Sequence, residues 1–145
     1  MTKYQSELIV IKADQIKAFE TLSSPLKIRE LIYNAGLSEK LNGFDIINDS
    51  IVFSNPAVGN IIFRLKETNK YSSIQYQTEN SPLTMNLEIE LSKVTEDSTN
   101  LQLNLTAELP PVIKMMMGSK VLEALDKLNK FIAISFEKDK NFDSA

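Results

Sequence analysis

At 145 residues and 16.4 kDa, with 43% hydrophobic and 24% charged residues, the chain has the size and balance of one globular domain with a substantial core. A net charge of −3, with Arg29 and Arg64 as the only arginines, argues against a nucleic-acid partner, which needs clustered positive charge. Cys and His are both absent, which removes disulfides, thiol nucleophiles, His general bases and the usual zinc ligands, and leaves carboxylates, Lys and Tyr for any catalysis.

The chain opens with "MTKYQSELIVIKAD", whose short apolar run is too brief for a signal-peptide core. No window approaches the ~20 apolar residues of a spanning helix, so a cytoplasmic protein without stable membrane insertion is expected. The β-branched stretch from Tyr4 to Ala13 predicts a strand. Asp14 then caps a helix with Ile16, Phe19 and Leu22 at helical spacing. Ser24 and Pro25 start a second helix, its apolar face formed by Ile28, Leu31, Ile32 and Ala35 and its end marked by Gly36. The segment "GLSEKLNG" predicts an irregular connection.

From Phe44 to Leu109 the hydrophobic period changes to two, predicting three successive hairpins. The first turns at Asn48-Asp49 and the second at Asn69-Lys70. In the third, Met85, Leu87, Ile89 and Leu91 share one face with Leu101, Leu103, Leu105 and Ala107. Paired residues must point to the same side, so their summed numbers are fixed within each hairpin. Phe63 and Leu65 against Ile74 and Tyr76 demand an odd sum. Leu87 and Ile89 against Leu103 and Leu105 demand an even one, with an odd loop such as Thr95-Glu96-Asp97. One apolar and one polar face throughout predict a single antiparallel sheet covered on one side.

The cover is a long C-terminal helix. With Ile113 at zero on a helical wheel, Met117, Val121, Ala124, Leu125, Leu128, Phe131 and Ile132 fall within about 120°. Ser119, Glu123, Asp126, Lys127 and Lys130 take the other side. Residues 1–136 are therefore assigned to a single domain and residues 137–145 to a polar tail.

A strand, two short helices, hairpin strands and a long last helix resemble the helix-grip fold of the START-like superfamily, or SRPBCC, which includes polyketide cyclases and lipid-transfer domains. The resemblance is carried by "IKADQIKAFETLSS", "GNIIFRLKETNKYSSIQYQTENSPLTMNLEIEL" and "LTAELPPVIKMMMGSKVLEALDKLNKF", nearly the whole chain. The last stretch is similar to small uncharacterised bacterial members. The resemblance implies an α+β fold, a seven-stranded antiparallel sheet curved around the long C-terminal helix, with two short helices after strand 1. It also implies an apolar cavity between sheet and helix, and brings no catalytic motif.

The function so implied is binding or transport of a small hydrophobic or amphipathic molecule, with Phe63, Tyr76, Leu87, Ile89, Leu103, Met116, Met117 and Val121 as ligand-binding residues. The alternatives are an enzyme of the polyketide cyclase or aromatase type, with Tyr76 as acid, and a non-catalytic interaction module whose cavity is filled. Taken one by one, the inward residues are better explained as plain core, and a buried Tyr76 hydroxyl by a backbone or water partner. Arg64, Glu88 and Glu90 point outward as solvated surface, Tyr33 reaches toward the cavity mouth, and "SNPAVGN" is a turn or a rim loop. No catalytic residue, metal or cofactor is assigned, since no nucleotide or metal motif occurs.

In "PPVIKMMMGSK", Met117 lies on the gripping stripe while Met115 and Met116 fall near about 200° and 300°. Gly118 followed by a capping Ser119 predicts a kink or break there, which would return Met116 toward the cavity mouth and make Met116 and Met117 an adaptable lid. The methionines serve equally as gap-filling or self-association residues.

Overall fold

A computed structural model describes residues 2–40, 43–55 and 59–138. The elements are β1 (Thr2–Gln5), β2 (Ile9–Ile11), α1 (Gln15–Leu22), α2 (Pro25–Asn34), a 3-10 turn (Ser38–Lys40), β3 (Phe44–Ile47), β4 (Ser50–Asn55), β5 (Gly59–Asn69), β6 (Ser73–Thr78), β7 (Thr84–Thr95), β8 (Ser98–Glu108) and α3 (Pro111–Lys138). The strands form one antiparallel sheet in the order β1-β8-β7-β6-β5-β4-β3, with β2 continuing β1 along β8. The sheet therefore has seven positions across, the first filled by two pieces. This is the α+β arrangement expected. Pro56 of "SNPAVGN", Leu41 and Asn42 of "GLSEKLNG", and the tail from residue 139 lie outside the described residues.

Local signals account for the helix starts. Asp14 accepts from Lys17 N–H at 2.8 Å and Ser24 from Lys27 N–H at 3.3 Å, each capping its helix. Gly36 ends α2 at φ +73°, a conformation that costs glycine little. Ile28, Leu31, Ile32 and Ala35 are buried as the pattern requires. Ile16 is not: it is 50% exposed, and α1 buries Ala18, Phe19, Thr21 and Leu22 instead.

Three departures in the sheet share one cause, the insertion of a single residue into one strand. The predicted first strand is interrupted at Ser6–Leu8, because Tyr4 pairs with Leu105 while Ile9 pairs with Leu101. The extra residue lets Tyr4, Ile9 and Ile11 face inward despite their mixed parity. Leu65 pairs with Tyr76 at the expected odd sum, but a bulge between Leu65 and Glu67 moves the turn from Asn69-Lys70 to Lys70–Ser72. Leu65 itself is 44% exposed, whereas its neighbour Phe63 is buried. In the third hairpin Leu87 faces Leu105 and Ile89 faces Leu103 as expected, and a bulge between Lys93 and Thr95 shortens the closing loop to Glu96-Asp97. Asn48, at φ 56°, makes the first turn where the sequence places it.

Helix α3 runs unbroken from Pro111 to Lys138, passing through Gly118, so the break expected there does not occur. A Cβ at Gly118 would stand 3.7 Å from the Tyr4 hydroxyl, an ordinary contact. The buried face is rotated from the expected stripe: Leu125, Asn129, Ile132, Ser135 and Phe136 are buried, and Ala124 is exposed. Asn129 is anchored on this rotated face. Its Nδ2 donates to Glu7 O at 2.6 Å, while Asp126 accepts from Glu7 N–H at 2.9 Å. One helix thus holds both polar groups of the residue that interrupts the first strand.

Candidate functional site

The space gripped between sheet and helices is an apolar cavity of about 30 Å³. Leu87 and Ile89 of β7 and Leu103 of β8 form its floor. Leu22, Ile28, Leu31 and Ile32 close it from α1 and α2, and Leu128, Phe131, Ile132 and Ser135 from α3. The remaining wall is Phe44, Ile51 and Phe53 of the first hairpin. Phe44 stacks on Phe53 at 5.5 Å and meets Phe131 edge-on at 6.2 Å. All three rings are half-buried, as is Leu128 of the lining, so the enclosure reaches the surface on this side. Ser135 is the polar side chain in the lining, and its hydroxyl already donates to Phe131 O at 2.8 Å.

Of the residues expected to bind a ligand, Leu87, Ile89 and Leu103 meet here. Phe63 lies behind the wall, edge-on to Phe53 at 5.6 Å. Tyr76 is fully buried, and its hydroxyl donates to Leu22 O at 2.6 Å, tying the end of α1 to the sheet. Burial pushes that hydroxyl above the usual tyrosine range, which removes it further from acid chemistry. Val121 and Met117 are half-buried on the first half of α3, away from the cavity. Met116 is 64% exposed on the unbroken helix, so no bend returns it to the cavity. Tyr33 points to solvent, 73% exposed.

The polar surface groups behave as such. Arg64 pairs with Glu79 at 3.5 Å and donates to Ser50 Oγ, standing opposite Gln77 rather than beside Gln75. Glu88 and Glu90 both accept from Asn104 Nδ2 on the uncovered face. Among the described residues no group of three or more acidic side chains gathers to hold a metal.

Phe44 and Phe53 escaped the sequence reading, although the Asn48-Asp49 turn already makes them a cross-strand pair. Asn129 and Ser135 had no such signal. Polar residues at inward helical positions read as surface until their backbone partners are seen.

The fold defined by this sheet and its gripping helix is the START-like helix-grip fold. No family model and no curated protein matches the sequence. Among solved structures, the chain is similar to norcoclaurine synthase from Thalictrum flavum (TM-score 0.65, 11% identity, covering 92% of this chain and 84% of that one). It is also similar to Aha1 from Colwellia psychrerythraea, solved as a dimer (0.56, 16%, 93% and 98%), and to a protein from Thermobifida fusca (0.62, 9%, 92% and 91%). At these identities the likeness is one of fold.

Proposed function

We propose that the protein binds, and carries, a small hydrophobic or amphipathic molecule between the sheet and α3, in the cytoplasm. The observation that carries this reading is the cavity itself, walled by aliphatic and aromatic side chains from every layer of the fold and bounded by three half-buried rings. Pockets that take small molecules span ~300–1,000 Å³, whereas about 30 Å³ holds about two waters. Binding therefore requires the enclosure to open, and Phe44, Phe53 and Phe131 are the residues to move. The ligand's buried part is hydrocarbon, because the one lining hydroxyl is already engaged. In support, norcoclaurine synthase, with this fold, has been solved with dopamine and hydroxybenzaldehyde, two small aromatic molecules.

The small volume also favours a second reading, an interaction module whose grip is filled by its own side chains. A cyclase or aromatase reading has less behind it, since the hydroxyl it would use is buried and bonded to Leu22 O. Native mass spectrometry of freshly purified protein separates the first two. Binding predicts a co-purified small molecule, or one-to-one uptake of naphthalene or a short fatty acid that Leu128→Phe abolishes. A folded protein that takes up neither would leave the filled-grip reading standing.

A further inference from the structure

The first three turns of α3 are apolar on the side facing away from the sheet. Val112, Met115, Met116 and Leu122 are 67%, 88%, 64% and 40% exposed, with Ser119 the only polar residue among them. They recur at i, i+3, i+4 and i+10, and so share one outward face. The inward side, Ile113, Met117 and Val121, is apolar as well and only half-buried. Two opposite sides of these turns are apolar, with the exposed Lys114 and Lys120 between them, and the outward one has no packing partner among the described residues.

The charges indicate what that surrounding is. Between Pro110 and Leu122 the charged residues are Lys114 and Lys120, both exposed and without an ion pair among the described residues, inside a chain whose net charge is −3. Lys3 of the adjoining β1 is exposed too. The nearest carboxylates on the helix follow Leu122: Glu123 pairs with Lys127 at 3.1 Å, and Asp126 is turned toward the interruption between β1 and β2, where it accepts from Glu7 N–H. Glu108, exposed before the proline pair, is the one acidic side chain at the other end. A second copy of this chain would bring the same cationic rim against itself. A surface that is apolar below and anionic at its rim fits both features.

We propose that this face of α3 docks on an anionic lipid bilayer, independently of whether the cavity holds a ligand. Val112, Met115, Met116 and Leu122 enter the boundary between headgroups and acyl chains, while Lys114 and Lys120 extend their stems toward the phosphates. Nothing spans the membrane, and no described helix is long and apolar enough to do so.

Flotation of the purified protein with phosphatidylcholine vesicles, with and without phosphatidylglycerol, tests this. The wild type is expected to float with the phosphatidylglycerol vesicles alone and to be released by about 0.5 M NaCl. Combined Met115→Ser and Met116→Ser changes, and separately Lys120→Glu, should each lower the bound fraction about tenfold. Because these side chains are exposed, the thermal midpoint should stay within a few degrees of wild type. The proposal is overturned if the wild type fails to float with anionic vesicles, or if binding survives both variants. Sedimentation velocity showing a wild-type dimer that the methionine changes dissociate would overturn it in favour of self-association.

Discussion

Replacing Tyr76 by Phe removes one oxygen from the interior and leaves Leu22 O, at the end of α1, without its donor. That should cost about 1–2 kcal/mol in urea unfolding. It should also change the alkaline limb of stability. Burial raises the Tyr76 hydroxyl above the usual tyrosine range, so its neutral form is favoured in the folded state. The resulting contribution is whole below the unfolded value of about 10 and is lost as pH climbs from there toward the raised folded value. Between about pH 9 and 11 the Tyr76→Phe variant should therefore lose stability less steeply than wild type. Equal slopes would contradict the burial.

Asn129 is the other residue whose burial demands a reason. It is 0% exposed, donates to Glu7 O, and its Oδ1 has no protein partner among the described groups. Asn129→Ala should lower stability by about 1 kcal/mol by removing one of the two donors to the Glu7 carbonyl, which keeps the Ser6 hydroxyl at 3.0 Å. A change below about 0.5 kcal/mol, the ordinary range for a surface substitution, would mean that Glu7 needs no such partner.

At the scale of elements, α3 behaves as two helices end to end. Leu125, Ile132 and Phe136 sit in the core at and beyond the Glu7 clamp formed by Asp126 and Asn129, while none of the helix residues before Leu125 is buried. Leu125→Ala should cost about 3 kcal/mol, and Met115→Ser no more than about 0.5 kcal/mol, by chemical denaturation. Similar losses would show that the first half is packed as firmly as the second.

The same helix shows what the sequence could and could not disclose. Its existence and the hairpins it covers were legible, because period and turn residues are local properties, whereas the break expected at Gly118 does not occur. Its exact facing was not legible, since the buried Asn129 meets Glu7, a residue 122 positions away. Bulges mark a similar boundary. Parity correctly paired Leu65 with Tyr76 and Leu87 with Leu105, yet placed two loops wrongly because one inserted residue resets the count. The cavity floor was foreseen at Leu87, Ile89 and Leu103, whereas its α1, α2 and first-hairpin walls depend on how distant elements meet.

For the molecule as a whole, the sheet supplies a rigid floor and the helices a cover made of side chains alone. The β7–β8 ladder keeps one register from Thr84 to Lys93, and its inward residues from Met85 to Leu91 are buried. The opposite side is closed by Phe44, Phe53 and Phe131, which meet across three elements without a hydrogen bond from one of these rings to another. Opening there sacrifices ring contacts worth ~0.5–1.5 kcal/mol each and leaves the strand pairing intact. Rearrangement should accordingly be confined to this hairpin and the second half of α3.

Methyl NMR during titration with naphthalene tests that account most directly. Saturable one-to-one shifts are predicted at the methyls of Leu87, Ile89, Leu103, Leu128 and Ile132, with Leu8 and Val94, on the exposed surface, unchanged. Spectra that stay unaltered up to the solubility limit, or that shift first at Leu8 and Val94, would contradict a ligand-binding grip.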